Sequence, residues 1–328
     1  MPLRPLDRPT RRLLTRLALW LAVASGVSVA LAAVLALVEV RGVPLLTHAA
    51  HVPILADPNL TRRLADADAS GPVDVLIVGS SHAFREIDPR AFARRGLRAF
   101  NLGSSAQAPI LTDALLARHL PRLRPRLVLV ETYPVTLDGD GFEGFAGLVA
   151  SAPIDAGAVR LAMRLHTPGA GLALVGGATR RALDRPAGRA DGRYVAAGFV
   201  ERTDTVRNVR RALRRFPTAV ALSDDDLDAL RPVVDRIRAS GAAVVFVEMP
   251  VTDALRGYVA GYAAASAAVE ATAHRSGVPF LRVGDWRLGL VDTVHFYDPD
   301  HLNAAGNARV NAALLDTLAR RGLLPRPQ

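Results

Sequence analysis

The strongest pattern along the chain is an uncharged, apolar run of 22 residues from Leu17 to Val38. As a helix it would extend about 33 Å, enough to cross a hydrocarbon layer of about 30 Å. Arg4, Arg8, Arg11, Arg12 and Arg16 precede the run and Glu39 follows it. The positive-inside rule then predicts a cytoplasmic arginine-rich tail over 1–16, a transmembrane helix over 17–39 and an exported remainder. Trp20 lies near the cytoplasmic end, where interfacial aromatics collect. A cleaved signal peptide is the rival reading. Its apolar core is usually about 7–15 residues and ends at a small-residue site, whereas this run is longer and is followed by Glu39-Val40-Arg41-Gly42. A buried core helix would need no one-sided arginine flank.

Residues 40–71 carry Pro44, Pro53, Pro58 and Gly71 without a sustained period, which reads as a tether. From 72 to 328 the pattern becomes that of an α/β domain. Short β-branched or apolar runs at 73–78, 98–101, 127–131, 243–248 and 279–283 read as strands. Helical patterns at 109–120, 224–240, 252–276 and 303–321 lie between or after them. Such alternation implies βαβ units and a mainly parallel sheet, with ligands at the carboxyl ends of its strands. Residues 137–220 break the alternation. They are rich in Gly, Ala and Arg, with broken helical patterns and no strong strand, and read as an insertion that folds over the site as a lid.

Composition changes this picture little. The chain has 328 residues, half of them hydrophobic, and a formal net charge of +10. All basic residues are Arg and there is no Cys, which excludes disulfides, thiolate catalysis and cysteine metal sites. Scattered arginines, 5% aromatics and the absence of a nucleic-acid motif argue against nucleic acid as a partner. The run Arg210-Arg211-Ala212-Leu213-Arg214-Arg215 is by default a solvated helix face. His48/His51 and His295/His301 lack a supporting carboxylate pattern for a metal, and no cofactor signature is found.

Two places carry candidate chemistry. Gly79-Ser80-Ser81-His82 follows the first strand. Gly79 permits a sharp turn there, and Ser81 would stand at the top of the sheet, needing a base to become a nucleophile. The bland alternative is that Ser80 or Ser81 merely caps the next helix. Near the C-terminus, Tyr297-Asp298-Pro299-Asp300-His301-Leu302-Asn303 places an acid three residues before a histidine. Asp298 could orient the His301 ring toward a serine, or Asp300 or Asn303 could simply cap the last helix. Both places follow strands of one parallel sheet, so both can reach the same edge.

Gly79-x-Ser81, the block Asn101-Leu102-Gly103-Ser104-Ser105-Ala106 and Asp298-x-x-His301 together resemble the SGNH/GDSL hydrolase superfamily. With the apolar anchor and Tyr-Asp-Pro-Asp-His-Leu-Asn, the chain is similar to a membrane-anchored branch that includes proteins of lipoteichoic acid D-alanylation and polysaccharide O-acetylation. The resemblance covers roughly 72–321 through short motifs. It implies a flavodoxin-like three-layer α/β/α fold, with Ser81 as nucleophile, His301 as general base and Asp298 as its orienting acid. It also implies an oxyanion hole from the Ser81 N–H and that of Gly103 or Ala106. The superfamily adds an Asn after the third strand, where this chain has Glu131-Thr132-Tyr133-Pro134; Thr132, Tyr133 or Asn101 would have to substitute. Ser80 stands where the superfamily has Asp.

The expected function is that of an extracytoplasmic serine esterase or O-acyltransferase acting on acyl esters of a cell-envelope glycan or polymer. A membrane-bound acyltransferase is a candidate partner. His82, Arg85, Asn101 and Tyr133 are candidate substrate contacts. The alternative is a catalytically weak binding or assembly component of a polymer-modification complex.

Overall fold

In a computed structural model, which describes residues 7–327, five strands form one wholly parallel sheet. They are β1 (Val75–Val78), β2 (Ala99–Asn101), β3 (Leu127–Glu131), β4 (Ala243–Glu248) and β5 (Phe280–Arg282). The spatial order is β2-β1-β3-β4-β5, the flavodoxin-like arrangement. Its topological switch point lies between β1 and β3.

The chain first forms α1 (Arg8–Leu37) and α2 (Pro58–Ala69). The sheet region adds α3 (Ser81–Glu86), α4 (Pro89–Ala93) and α5 (Pro109–Leu123). The insertion contributes α6 (Phe142–Ser151), α7 (Ala156–Leu165) and α8 (Pro168–Ala182). The remainder forms α9 (Leu230–Ala239), α10 (Asp253–Tyr258), α11 (Tyr262–Arg275) and α12 (Ala304–Arg320).

Both faces of the sheet are covered, so each strand reads as a continuous apolar run. Leu76, Val78, Val128, Val130, Val244 and Phe246 face one layer, with Leu64 of α2, Leu116 of α5, Ile237 of α9 and Val269 of α11. Val75, Ile77, Leu127, Leu129, Val245 and Val247 face the other, with Ala83 of α3, Phe92 of α4 and Leu314 of α12. Alternate residues of each strand thus serve the two helical layers, as period-two side chains require.

The apolar N-terminal run is helical and longer than its uncharged core: α1 has 30 residues, and it is long and apolar enough to span a membrane. Most of its large side chains, including Leu17, Trp20 and Val27, are exposed. Its last turns are not: Ala32 and Ala36 are buried. Arg180 of α8 donates from Nη1 to the Ala36 carbonyl at 2.9 Å and to Glu39 Oε1 at 2.9 Å. This satisfies a helix-end carbonyl that has no partner within α1. Arg4 lies outside the described residues.

The stretch 40–71 differs from the tether expected of it. It carries a two-residue hairpin (Glu39–Val40 with Val43–Pro44), a short helix (Leu45–Ala50) and α2. Asp57 caps α2, accepting from the Asn59 N–H at 2.9 Å, and Pro58 opens it. The apolar face at Leu60, Leu64 and Ala67 is buried on the sheet. Its period was masked by the charged residues between those positions.

Helix 252–276 is likewise two helices. The break falls at Gly261, with φ of +81°, where Ala260 pairs with the chain at Ala219. In the insertion, α6, α7 and α8 pack with the end of α1 and with Leu46 and Ile54. Only the later part, 191–206, reaches the carboxyl edge around His301: Val206 N–H donates to the Phe296 carbonyl at 2.9 Å and Ala304 N–H to the Arg202 carbonyl at 2.7 Å.

Candidate active site

The turn after β1 is built by a carboxylate. Glu131, at the end of β3, is buried, and its Oε2 accepts from both the N–H and the hydroxyl of Ser80 at 2.7 Å. Gly79 is forced here. Its φ is +136°, and a Cβ would lie 2.7 Å from Glu131 Cβ, 2.8 Å from Oε2 and 2.9 Å from the Glu131 carbonyl oxygen. Ser80 then caps α3, its Oγ accepting from the His82 N–H at 3.3 Å. Ser81 becomes the first residue of α3 and is half-buried.

Such a short helix is pinned from its far end. Asn101 Nδ2 donates to the carbonyls of Ala83 at 2.6 Å and Ile87 at 2.9 Å. Asn307 Nδ2 donates to the Arg85 carbonyl at 2.6 Å, and Asn311 Nδ2 to that of Glu86 at 2.6 Å. Four orphan carbonyls are therefore satisfied by three buried asparagines.

The second turn meets the first. His301 Nε2 lies 2.7 Å from Ser81 Oγ. Its Nδ1 lies 3.0 and 3.1 Å from the two oxygens of Asp298. Asp298 is itself oriented by the backbone, with Oδ1 accepting from the His301 N–H at 2.8 Å and the Asp300 N–H at 3.2 Å. Tyr297 stacks on the imidazole, with centroids 5.4 Å apart and planes inclined by 8°. Asn303, not Asp300, caps α12, accepting from the N–H groups of Ala305 at 3.0 Å and Gly306 at 3.1 Å. Hydroxyl, imidazole and carboxylate thus stand in a line across 220 residues of sequence.

The electrostatics involve more groups than that line. Asp300 Oδ1 is also 3.0 Å from His301 Nδ1. Burial disfavours the imidazolium most, but the charges of Asp300 and Asp298 together outweigh it and hold His301 well above the ordinary histidine range. Burial also acts on Glu86, pushing its carboxyl up to about 8 although His82 opposes this. Glu131 is raised as well, chiefly by burial.

The expected oxyanion donors and substrate contacts fare unevenly. The Gly103 N–H donates to Asn101 Oδ1 at 3.1 Å, so it is already spent within the fold. Gly103 is required for a different reason: a Cβ there would lie 2.8 Å from Ala83 Cβ. Ala106 sits half-buried in the left-handed region, with φ of +47°. The Thr132 N–H bonds the Val247 carbonyl at 3.0 Å, while its wholly buried hydroxyl has no partner. Asn101 is committed to α3 and Gly103, and is no substrate contact in this arrangement. His82 is fully enclosed and Tyr133 packs on it at 4.1 Å, its hydroxyl also unpartnered. Arg85 is buried to 7% exposure and paired with Asp191 at 2.6 Å. Arg85 and Arg202 both approach the Tyr297 ring, at 5.6 and 4.6 Å.

Glu131, Glu86 and Asp300 were not singled out from sequence. The asparagine clamp did leave a signal, since Asn303, Asn307 and Asn311 recur at helical spacing on one face of α12. His82, Asp300 and His301 also offer donor atoms within 4.8 Å of one another. An ion there would compete for the His301 nitrogen that Asp298 holds.

No protein-family profile matches the chain, and no curated protein does. Solved structures do. A GDSL-like lipase from Bacteroides thetaiotaomicron is 12% identical, covering 80% of this chain and 98% of its own, with a TM-score of 0.42. A Mycobacterium smegmatis aryl esterase is 13% identical over 77% of this chain and 100% of its own, with a TM-score of 0.40. A carbohydrate acetylesterase from Sinorhizobium meliloti is 15% identical over 76% and 99%, with a TM-score of 0.37. The structural neighbours of this chain are GDSL-like lipases and acylhydrolases of the SGNH superfamily.

Proposed function

We propose that the chain is a membrane-anchored serine esterase or O-acyltransferase whose α/β domain works outside the cytoplasm on acyl esters of a cell-envelope glycan or polymer. The observation that carries this reading is the 2.7 Å contact between Ser81 Oγ and His301 Nε2, with Asp298 at 3.0 Å on the other ring nitrogen. Ser81 Oγ attacks the acyl carbonyl while His301 accepts its proton. The alcohol leaves with that proton, and the acyl group stays on Ser81. Water or a sugar hydroxyl then attacks the acyl-serine, His301 taking and returning the second proton. The Ser81 N–H, the backbone at Ala106 and the Thr132 hydroxyl are the groups assigned to the developing oxyanion. The segment 191–206 beside His301 is the assigned water-excluding lid in the transfer variant, because transfer requires a dry site.

Support for an envelope substrate comes from α1 and its arginine flank, which place the domain beside a bilayer. In the transfer reading, a membrane-bound acyltransferase is the natural acyl source. The test is fluorophosphonate labelling and p-nitrophenyl acetate hydrolysis by the full chain in detergent. Labelling of wild type that disappears in Ser81→Ala and collapses in His301→Gln supports the enzyme.

One observation favours a second reading, a binding or assembly component. The Gly103 N–H is spent on Asn101 and no Asn follows β3, and a missing oxyanion donor costs about 100- to 1000-fold in rate. Folded wild-type protein that neither labels nor hydrolyses ester would establish that reading and end the enzymatic one.

A further inference from the structure

Behind the Ser81–His301–Asp298 line lies a second set of buried titratable groups that the reaction above does not use. The His301 ring has one hydrogen at Nδ1, and Asp298 accepts it. Asp300 Oδ1 is equally close to Nδ1, at 3.0 Å, yet makes no hydrogen bond of its own. Asp300 is 6% exposed, so its charge acts on the imidazole almost unscreened. Its other oxygen, Oδ2, lies 3.6 Å from Nε2 of His82. His82 has no solvent exposure and neither ring nitrogen has a hydrogen-bond partner. On its far side Nδ1 is 3.7 Å from Glu86 Oε1, which accepts the Leu302 N–H at 3.0 Å. The imidazoles of His82 and His301 are 4.8 Å apart.

We propose that Asp300 and His82 form a buried pair of positioning residues that sets the proton affinity of His301. A negative Asp300 favours the imidazolium of His301. A proton on His82 neutralises that charge and repels a second imidazolium, so His82 and Asp300 act on His301 with opposite sign. The remaining groups around the pair are Asp298 from the same loop, Glu86 and Arg85 of α3, Glu131 at the end of β3, and the rings of Tyr133 and Tyr297. All stay constant in the comparison below. Simple space-filling by His82 and Asp300 would give no signed effect on a proton equilibrium.

The pair rests on the esterase reading only for its rate consequence, so its test uses a readout that needs no turnover. The full chain, labelled in its histidine rings, is titrated by NMR in detergent micelles. The His301 resonance is identified by its loss in His301→Gln. Wild type is expected to titrate well above the ordinary histidine midpoint. Asp300→Asn is expected to lower the His301 midpoint by one pH unit or more, as loss of a charge within ~4–6 Å does, and His82→Gln to raise it. Asp300→Ser and His82→Asn stand in if either variant fails to fold. An ordinary wild-type midpoint, a folded variant with no shift, or shifts of the same sign overturn the proposal. Where ester hydrolysis is measurable, the acid limb of kcat/KM moves with the NMR midpoint. Absence of hydrolysis with the signed shifts intact would refute the esterase and leave the pair standing.

Discussion

Gly79→Ala is the sharpest test of how the serine turn is held. The added methyl would sit 2.7 Å from Glu131 Cβ, where ordinary contact begins near 3.4 Å, so something must move by about 0.7 Å. Little is free to do so. One of the three nearest atoms is backbone, and another is the carboxylate oxygen that Ser80 holds twice. Forcing a Cβ into φ of +136° adds strain of about 1–3 kcal/mol, and overpacking about 1–3 kcal/mol more. At roughly 2–4 °C per kcal/mol for a domain of this size, the melting temperature should fall by about 10 °C. The functional loss should be larger, because relieving the clash breaks the Ser80–Glu131 bonds and moves Ser81 off His301. A displacement near 1 Å can cost about 100-fold in rate. Circular dichroism melting and fluorophosphonate labelling, both on the full chain in detergent, measure the two effects. Gly71→Ala is the control, since nothing lies within 4 Å of a Cβ there. A Gly79→Ala protein that melts within 2 °C of wild type and labels within about threefold of its rate would refute the account of the turn.

Other consequences follow from the same structure. Ala106→Gly should stabilise by about 0.5–1 kcal/mol, because φ of +47° suits glycine; a lower melting temperature would mean that the Ala106 methyl has a packing role. Leu60→Ala, in the stretch read from sequence as a tether, should cost about 2–4 kcal/mol because Leu60 is buried on the sheet; a denaturation midpoint unchanged from wild type would return that stretch to a tether. Raised folded-state proton affinities at His301 and Glu86 mean that the folded chain binds more protons than the unfolded one, so stability falls with rising pH. For Glu86 the loss runs from about 4.5 to about 8, and Glu86→Gln, which keeps an acceptor for the Leu302 N–H, should flatten melting temperature over that window. The neutral imidazole is the reactive base, so ester hydrolysis should rise with pH through a midpoint above 6.5; a midpoint at or below that value contradicts the charge arrangement.

The parts of the fold that were legible are those where one residue type decides the outcome locally. Val73–Val78, Leu127–Glu131 and Ala243–Glu248 are β-branched runs bounded by turn residues, and each became a strand of the parallel sheet. The 22-residue apolar run gave a helix because nothing in it interrupts one. Legibility failed where the deciding partner is remote. Helix α2 was hidden because Arg62, Arg63, Asp66 and Asp68 interleave with Leu60, Leu64 and Ala67, and its burial exists only once the sheet is there. The break at Gly261 depends on the pairing of Ala260 with the distant chain at Ala219.

The same division runs through the site. Ser81, His301 and Asp298 were readable because each sits in a short motif whose spacing is local, and two turns at one edge of a parallel sheet have few places to go. What surrounds them was not readable, because it is defined by contacts among segments far apart in the chain. Glu131 was noticed only as part of a segment lacking an Asn, yet its carboxylate fixes the turn that presents Ser81. Gly103 fitted the expectation of an oxyanion donor, but its N–H was claimed by an Asn two residues earlier. Asp300 looked like a helix cap, a role that Asn303 takes, which leaves Asp300 between two imidazoles. The order of acids in Asp298-Pro299-Asp300-His301 therefore encodes two tasks: the first carboxylate, bound by backbone N–H groups, orients the ring, and the second, enclosed and unbonded, sets how tightly that ring holds its proton.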